Sequence, residues 1–275
     1  MESKIASALG LEHQPVAILL TDTAPVDALR FKPGKWGCVM FLFANAARGR
    51  TAAADATTYG CWGGGVGLGF GNAYSRFPGG EDCFARFLSS GNSRSAEGRQ
   101  VAEAMAGRAG REFVDNFLAG ERYQQSPELV AEWLGELPLM DHGAQVVFTP
   151  LAGVDPEVET PTTVVLVVDA DQLSALVILA NYSRPGRDNV TIPWAAGCQT
   201  IGILPWAEAR APAPRAVVGL TDLSARKYVR GQLGAHCLTF AMPWTLFLEM
   251  EAAVAGSFLE RPTWRSLRGT GAERT

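Results

Sequence analysis

Positive charge is in short supply: 24 Lys and Arg stand against 28 Asp and Glu, a formal net charge of −4 over 275 residues. A nucleic-acid surface needs cations clustered on one face. Here Arg99, Arg108 and Arg111 are interleaved with acidic residues and read as a solvated helix face. Long apolar runs are also missing. The longest candidate, Leu173–Ala180, falls short of the roughly 20 residues that span a bilayer and reads as a buried helix. Met1-Glu2-Ser3-Lys4-Ile5 has neither the basic start nor the apolar stretch of an export signal. The expected compartment is therefore the cytosol, where cysteines are thiols, metal ligands or catalytic groups rather than a disulfide framework.

A spaced metal motif is absent too. No C-x-x-C pair occurs among Cys38, Cys61, Cys83, Cys198 and Cys237. The histidines are three: His13 and His142 sit in turn-like settings expected to be exposed, and His236 opens a candidate strand. No Cys–His catalytic pair is indicated.

What is present suits one core, with 47% hydrophobic and 19% charged residues. Met1–Leu9 reads as a short helix stopped by Gly10, and Pro15–Leu20 as a buried strand ending at Thr21-Asp22. Phe31–Gly71 is rich in glycine and aromatic residues and is expected to be irregular, except for a helix over Met40–Arg48. Ser95–Leu118 has the spacing of a surface helix weakened at Gly107 and Gly110, and Ser126-Pro127 is a helix start. Gln145–Leu151, Thr163–Val168, Gln199–Leu204, Arg215–Leu220 and His236–Met242 read as strands, with helices over Asp171–Asn181 and Pro243–Phe258. This alternation predicts the α/β class, mixed α+β in detail: a mixed or parallel β-sheet packed with helices, in a single domain over residues 1–260. Arg261–Thr275 is polar and expected to fray.

The most unusual local feature is the cluster Gly60-Cys61-Trp62-Gly63-Gly64-Gly65-Val66-Gly67-Leu68-Gly69-Phe70-Gly71. No register in it supplies the third glycine of G-x-G-x-x-G, and it lacks the lysine of a phosphate-binding loop. Two readings remain. One is a glycine turn packed under aromatic residues; the other is a backbone that approaches a ligand closely and turns its N–H groups toward it. Gly-Cys recurs at Gly37-Cys38, Gly60-Cys61 and Gly197-Cys198, each with an aromatic residue nearby, whereas Cys83 and Cys237 lack that setting. A free cysteine is usually a packed thiol. Three in a shared context point beyond packing, and three thiolates without histidine suit zinc or an iron–sulfur cluster.

Several stretches resemble one family, the uncharacterised ArCR family (domain of unknown function one-six-nine). They are Pro15-Val16-Ala17, Cys38 with Ala46, Ala47 and Gly49, and Cys61-Trp62-Gly63-Gly64 leading to Leu68-Gly69; then Cys198 with Pro205, Ser224-Ala225-Arg226-Lys227-Tyr228, and Met242-Pro243. The resemblance runs from about Leu11 to Phe258. It implies that Cys38, Cys61 and Cys198 are the metal ligands of one site, a [4Fe–4S] cluster, with Gly63 and Gly64 beside it. Where family members often carry a further cysteine, this chain has Thr221-Asp222-Leu223. Either Asp222 replaces that cysteine or one iron has no protein ligand, and such an iron is a Lewis acid.

The implied function is removal of sulfur from a small carboxylated thiocarbonyl heterocycle such as a thiohydantoin. Arg226 and Lys227 are the candidates to hold the carboxylate, and Trp62, Trp194 and Tyr228 to stack on the ring. Asp55, Tyr59 and Asp222 lie near the ligands in sequence, and none is singled out as a general base. The alternatives are a cluster-dependent hydro-lyase and a non-catalytic protein that binds a metal or small ligand. The expected partner is a small anionic molecule, not nucleic acid or membrane, and assembly into a homo-oligomer stays open.

Overall fold

The side chain of Ser3 accepts the N–H of Ala6, and Gly10 turns left-handed with φ 59°, so the first helix, α1 (Lys4–Leu9), is closed at both ends by local chemistry. The computed structural model describes residues 1–107 and 109–269. After α1 come β1 (Val16–Thr21), α2 (Val39–Ala47), β2 (Ala52–Ala54) and α3 (Trp62–Gly67). A helical segment follows with α4 (Gly80–Leu88), α5 (Ala96–Met105), α6 (Arg111–Ala119) and α7 (Pro127–Gly135). The chain then runs through β3 (Gln145–Pro150), β4 (Thr163–Val168), α8 (Ala170–Tyr182), β5 (Val190–Thr191), α9 (Gly197–Ile201) and α10 (Ile203–Glu208). It finishes with β6 (Ala216–Gly219), α11 (Leu223–Leu233), β7 (Leu238–Pro243), α12 (Trp244–Ala253) and α13 (Pro262–Gly269).

Two compact units result. One is Met1–Phe70 together with the chain from Asp141 on; the other is Gly71–Met140. The larger unit is of mixed α/β class and holds a seven-stranded sheet of order β2-β3-β1-β4-β7-β6-β5. Five of its neighbouring pairs are antiparallel and only β5 with β6 is parallel. β4 is buried at every position, so both faces of the sheet are covered. Val164, Leu166, Val168, Phe240 and Met242 pack with Leu176, Leu179, Phe247 and Met250, the inner sides of α8 and α12, and with Ile5 and Leu9 of α1. Each such fully buried side chain contributes roughly 1.5–3 kcal/mol. On the other face lie α2, against β1 and β3, and α9 and α10, against β6 and β7.

The smaller unit has an aromatic core. The ring of Phe77 meets Phe84, Phe87, Phe113 and Phe117 at centroid distances of 5.1, 5.4, 6.2 and 6.0 Å. The buried Asn92 amide donates to the carbonyls of Cys83 (2.9 Å) and Phe117 (3.1 Å), tying the turn before α5 to α4 and α6.

Beyond short elements that were not read, such as β2, four expected stretches differ from the observed ones. Gln199–Leu204 is not a strand but parts of α9 and α10. Gln199 Oε1 accepts the Ala196 N–H at 2.9 Å, the Thr200 hydroxyl donates back to Gly197 O at 2.8 Å, and Pro205 sits in the first turn of α10, where it needs no N–H. Local hydrogen bonding and packing on the sheet override β-branched propensity there. The glycine cluster, expected to be irregular, contains α3. Ser95–Leu118 is two helices, α5 and α6, broken where Gly107 and Gly110 weaken it; Arg108 lies outside the described residues. Part of the tail expected to fray is α13, whose Trp264 is 6% exposed and donates to Ala8 O at 2.9 Å, while residues 270–275 lie outside the described set.

Candidate functional site

Four helices of the larger unit bring their N-termini together. α2 packs on α11 and α9, and α3 packs on α9. Cys38 is the N-cap of α2, Cys61 the N-cap of α3, Cys198 lies in the first turn of α9, and Asp222 is the N-cap of α11. The Gly64 N–H donates to Cys61 Sγ at 3.3 Å, and Cys198 Sγ donates to Gly63 O at 3.0 Å, so α3 touches two of the three thiols. Asp222 spans two helices: Oδ1 accepts the Ala225 N–H at 2.5 Å and Oδ2 accepts the Gly197 N–H.

Glycine makes this approach feasible. A Cβ at Gly67 would lie 2.8 Å from Cys198 Sγ and 2.7 Å from its carbonyl carbon, so α3 can lie on α9 only with hydrogen at that position. Gly60 has φ 78°, and a Cβ there would fall 2.3 Å from Gly37 O, which places the segments carrying Cys38 and Cys61 in contact. The recurring Gly-Cys pairs thus reflect tight backbone packing around the sulfurs. Of the two readings of the glycine cluster, close packing is what the structure shows; the cluster also aims the Gly64 N–H at the Cys61 thiol.

Cys198 is buried, while Cys38 and Cys61 are half-buried. Burial pushes the Cys38 thiol up to about 12; Cys61 and Asp222 add repulsion, and the N–H groups of Met40 and Phe41 oppose it. Burial also raises Cys61, against N–H groups of Gly64 and Val39. Cys198 is raised well above the usual thiol range by burial first, then by Cys61, Cys38 and Asp222. Cys38 and Cys198 thus sense other thiols of the three, all three sense Asp222, and Cys38 and Cys61 already have amides placed to stabilise a thiolate. A cation among them would offset both the desolvation and the mutual repulsion, and the soft donor set suits iron with sulfide. Among the described residues, no three His, Cys, Asp or Glu side chains close around a point as the ligands of a lone metal ion do. A four-iron cluster instead takes one thiolate at each of several separated irons.

The sequence reading placed several residues at the site, and the structure sorts them. Asp222 is brought in, but both carboxylate oxygens are held by backbone amides. The Arg226 guanidinium donates to Leu220 O (3.2 Å), Cys237 O (3.0 Å) and Ala235 O (2.6 Å), so it clamps the turn between α11 and β7 to the segment before α11. Lys227 and Tyr228 are exposed on α11, and Trp62 and Trp194 are half-buried. Cys237 is raised by burial first, then by Glu12 and Asp169 with Arg226 opposing, and Cys83 belongs to the core of the smaller unit. His142 and His13 are half-buried rather than exposed, with ring nitrogens on Leu68 O (2.7 Å) and Leu233 O (3.2 Å). Asp55 is held below the usual carboxylate range by the Thr57 and Thr58 hydrogen bonds, despite the burial that opposes them.

Two contributors escaped the sequence reading. The N–H donors of Val39, Met40 and Phe41 are backbone groups with no residue signature. Trp36, two residues before Cys38, is 56% exposed and meets the Tyr228 ring edge-on at 5.2 Å. Its signal was available: a lysine precedes each of the two rings, as Lys35-Trp36 and Lys227-Tyr228.

Comparison with known proteins gives one family model, described as Uncharacterised ArCR, which matches residues 4–253. No curated protein and no solved structure matches. Among the described residues no helix is long and apolar enough to cross a membrane.

Proposed function

The chain belongs to the uncharacterised ArCR family, and from that premise we propose that it is an enzyme holding a [4Fe–4S] cluster on Cys38, Cys61 and Cys198 and removing sulfur from a small, carboxylated thiocarbonyl heterocycle. The observation that carries the reading is the gathering of three desolvated thiols at helix N-termini, with Cys38 raised by Cys61, Cys198 raised by both, and Asp222 acting on all three. The cluster, when bound, would supply a Lewis-acidic iron toward the substrate's sulfur or oxygen. The chain's own residues prepare the place for it. Gly64 and Val39 offer N–H groups to Cys61, and Met40 and Phe41 offer theirs to Cys38, favouring the thiolates a ligand set needs. Asp222, occupied by the N–H groups of Gly197 and Ala225, fixes the starts of α9 and α11 and is better suited to positioning them than to replacing a fourth cysteine. The other cation of the original pair, Lys227, is exposed on α11 and is the candidate to face an anion.

Protein purified without oxygen is expected to contain about four irons and four acid-labile sulfides per chain, with broad absorption near 400 nm. Serine at Cys38, Cys61 or Cys198 should abolish that absorption, and serine at Cys83 or Cys237 should leave it. Iron-loaded protein given a carboxylated thiohydantoin should release sulfide. Iron-free protein that stays colourless after reconstitution removes the cluster; a loaded protein that hydrates or dehydrates a hydroxy acid and releases no sulfide replaces the desulfurase with a hydro-lyase.

A further inference from the structure

We propose that Lys35-Trp36 and Lys227-Tyr228 form a binding rim for a flat, anionic ring beside the thiol cluster; this rests on the reading that a small anionic heterocycle reaches that site. Trp36 stands two residues before Cys38, on a loop fixed by Lys35 N–H to Lys32 O (3.0 Å) and Gly34 N–H to Thr57 O (3.2 Å). Tyr228 stands on α11, whose N-cap Asp222 adds to the charge felt by all three thiols. The rings meet with centroids 5.2 Å apart and planes at 62°, yet Trp36 stays 56% and Tyr228 47% exposed. Leu223, also on α11, is 65% exposed, so α11 shows water more apolar surface than Tyr228 alone.

The charge around these rings is distinctive. Three of the chain's four lysines, Lys32, Lys35 and Lys227, lie on the two segments, and neither 31–38 nor 223–233 contains an Asp or Glu, in a chain of net charge −4. Aromatic faces flanked by ammonium groups take a planar ring by stacking and its carboxylate by charge. The same pairing explains how the site holds an anion although the guanidinium of Arg226 is committed to backbone carbonyls. Trp36 and Tyr228 supply the stacking surface, and Lys35 and Lys227 the attraction.

Titration calorimetry of the full chain with (2-thiohydantoin-5-yl)acetate and with its neutral amide tests this. Trp36→Ala should weaken both probes about tenfold, and Trp36→Phe should restore binding to within about twofold of wild type. Lys35→Gln should weaken the acetate about threefold and leave the amide unchanged. Wild type binding neither probe overturns the proposal, as does Trp36→Ala binding the acetate as wild type does. So does a Trp36→Ala variant that changes only self-association in sedimentation, which would make the rim a contact between copies. The expected pattern without sulfide release leaves the rim standing and removes the desulfurase reading. Sulfide release by a protein indifferent to Trp36 does the reverse.

Discussion

At Gly67 two physical tendencies predict opposite signs. Glycine in a helix costs about 1 kcal/mol relative to alanine, so propensity alone makes Gly67→Ala stabilising. The Cβ it adds, however, would stand 2.7 and 2.8 Å from the carbonyl carbon and Sγ of Cys198. Neither atom is the free end of a flexible side chain, so α3 must lift from α9. We expect Gly67→Ala to lose about 2 kcal/mol in urea unfolding, the usual size of an overpacking penalty, and to retain less iron after reconstitution than wild type. A stabilised variant with full iron would show that the two helices are not in the contact described. The cysteines gain their character in the same way: burial raises all three, neighbouring sulfurs raise Cys38 and Cys198 further, and amides from α2 and α3 oppose the rise at Cys38 and Cys61.

The helices that carry the site are short, and an isolated helix of this length is unstable in water. α3 and α9 have 6 and 5 residues, so packing and capping hold them. Asp222 caps α11 and reaches α9; Asp222→Ala should cost about 1–2 kcal/mol, at the upper end of capping losses because two helices lose an acceptor. A loss indistinguishable from zero would show that the capping carries no stability. The connection between α8 and α12 gives a pH-dependent case. Arg184 donates from Nε to both oxygens of Glu249, at 2.8 and 2.9 Å, and Ser183 donates at 2.8 Å. The Arg184 hydrogen bonds hold the Glu249 carboxyl below its ordinary 4.5, so the stabilisation is complete above that value and disappears as pH falls through the lowered one. With the Glu249 side chain 35% exposed, screening limits it to about 1 kcal/mol. Glu249→Gln should therefore be less stable than wild type at pH 7, with a deficit that narrows under acid; a deficit independent of pH would contradict the ion pair.

Across the whole chain, the ends of the sequence close the larger unit. Glu251 of α12, 5% exposed, accepts the hydroxyl of Ser3 and the N–H groups of Lys4 (2.8 Å) and Ile5 (3.2 Å), and so caps α1 from nearly the full length of the chain away. Trp264 and Arg268 of α13 reach Ala8 O and Gly10 O at 2.9 Å each. Glu251→Ala leaves those donors buried without an acceptor and should cost about 3 kcal/mol, seen as a lower midpoint in thermal unfolding. Loss of protection in hydrogen exchange should begin at α1. Unchanged protection there would place the stability of α1 in its apolar contacts with α8 and α12 alone.

The sequence by itself determined the α/β class, five of the six strands it was read to contain, and the three cysteines worth following. β-branched runs and a repeated Gly-Cys context are local signals, and pairing or packing does not alter them. It misread Gln199–Leu204, because a run that favours a strand becomes helix when a glutamine side chain, a glycine and a proline supply helical boundaries and the sheet supplies the contact surface. It also could not assign Arg226, whose guanidinium is equally suited to a carboxylate and to three carbonyls, and only the fold brings Leu220 O, before α11, together with Ala235 O and Cys237 O, between α11 and β7. The gathering of Cys38, Cys61 and Cys198 was implied by family resemblance, but the amides facing them and the meeting of Trp36 with Tyr228 were decided by tertiary structure. Residues far apart in the chain acquire a common environment only when helices from separate segments share one face of the sheet.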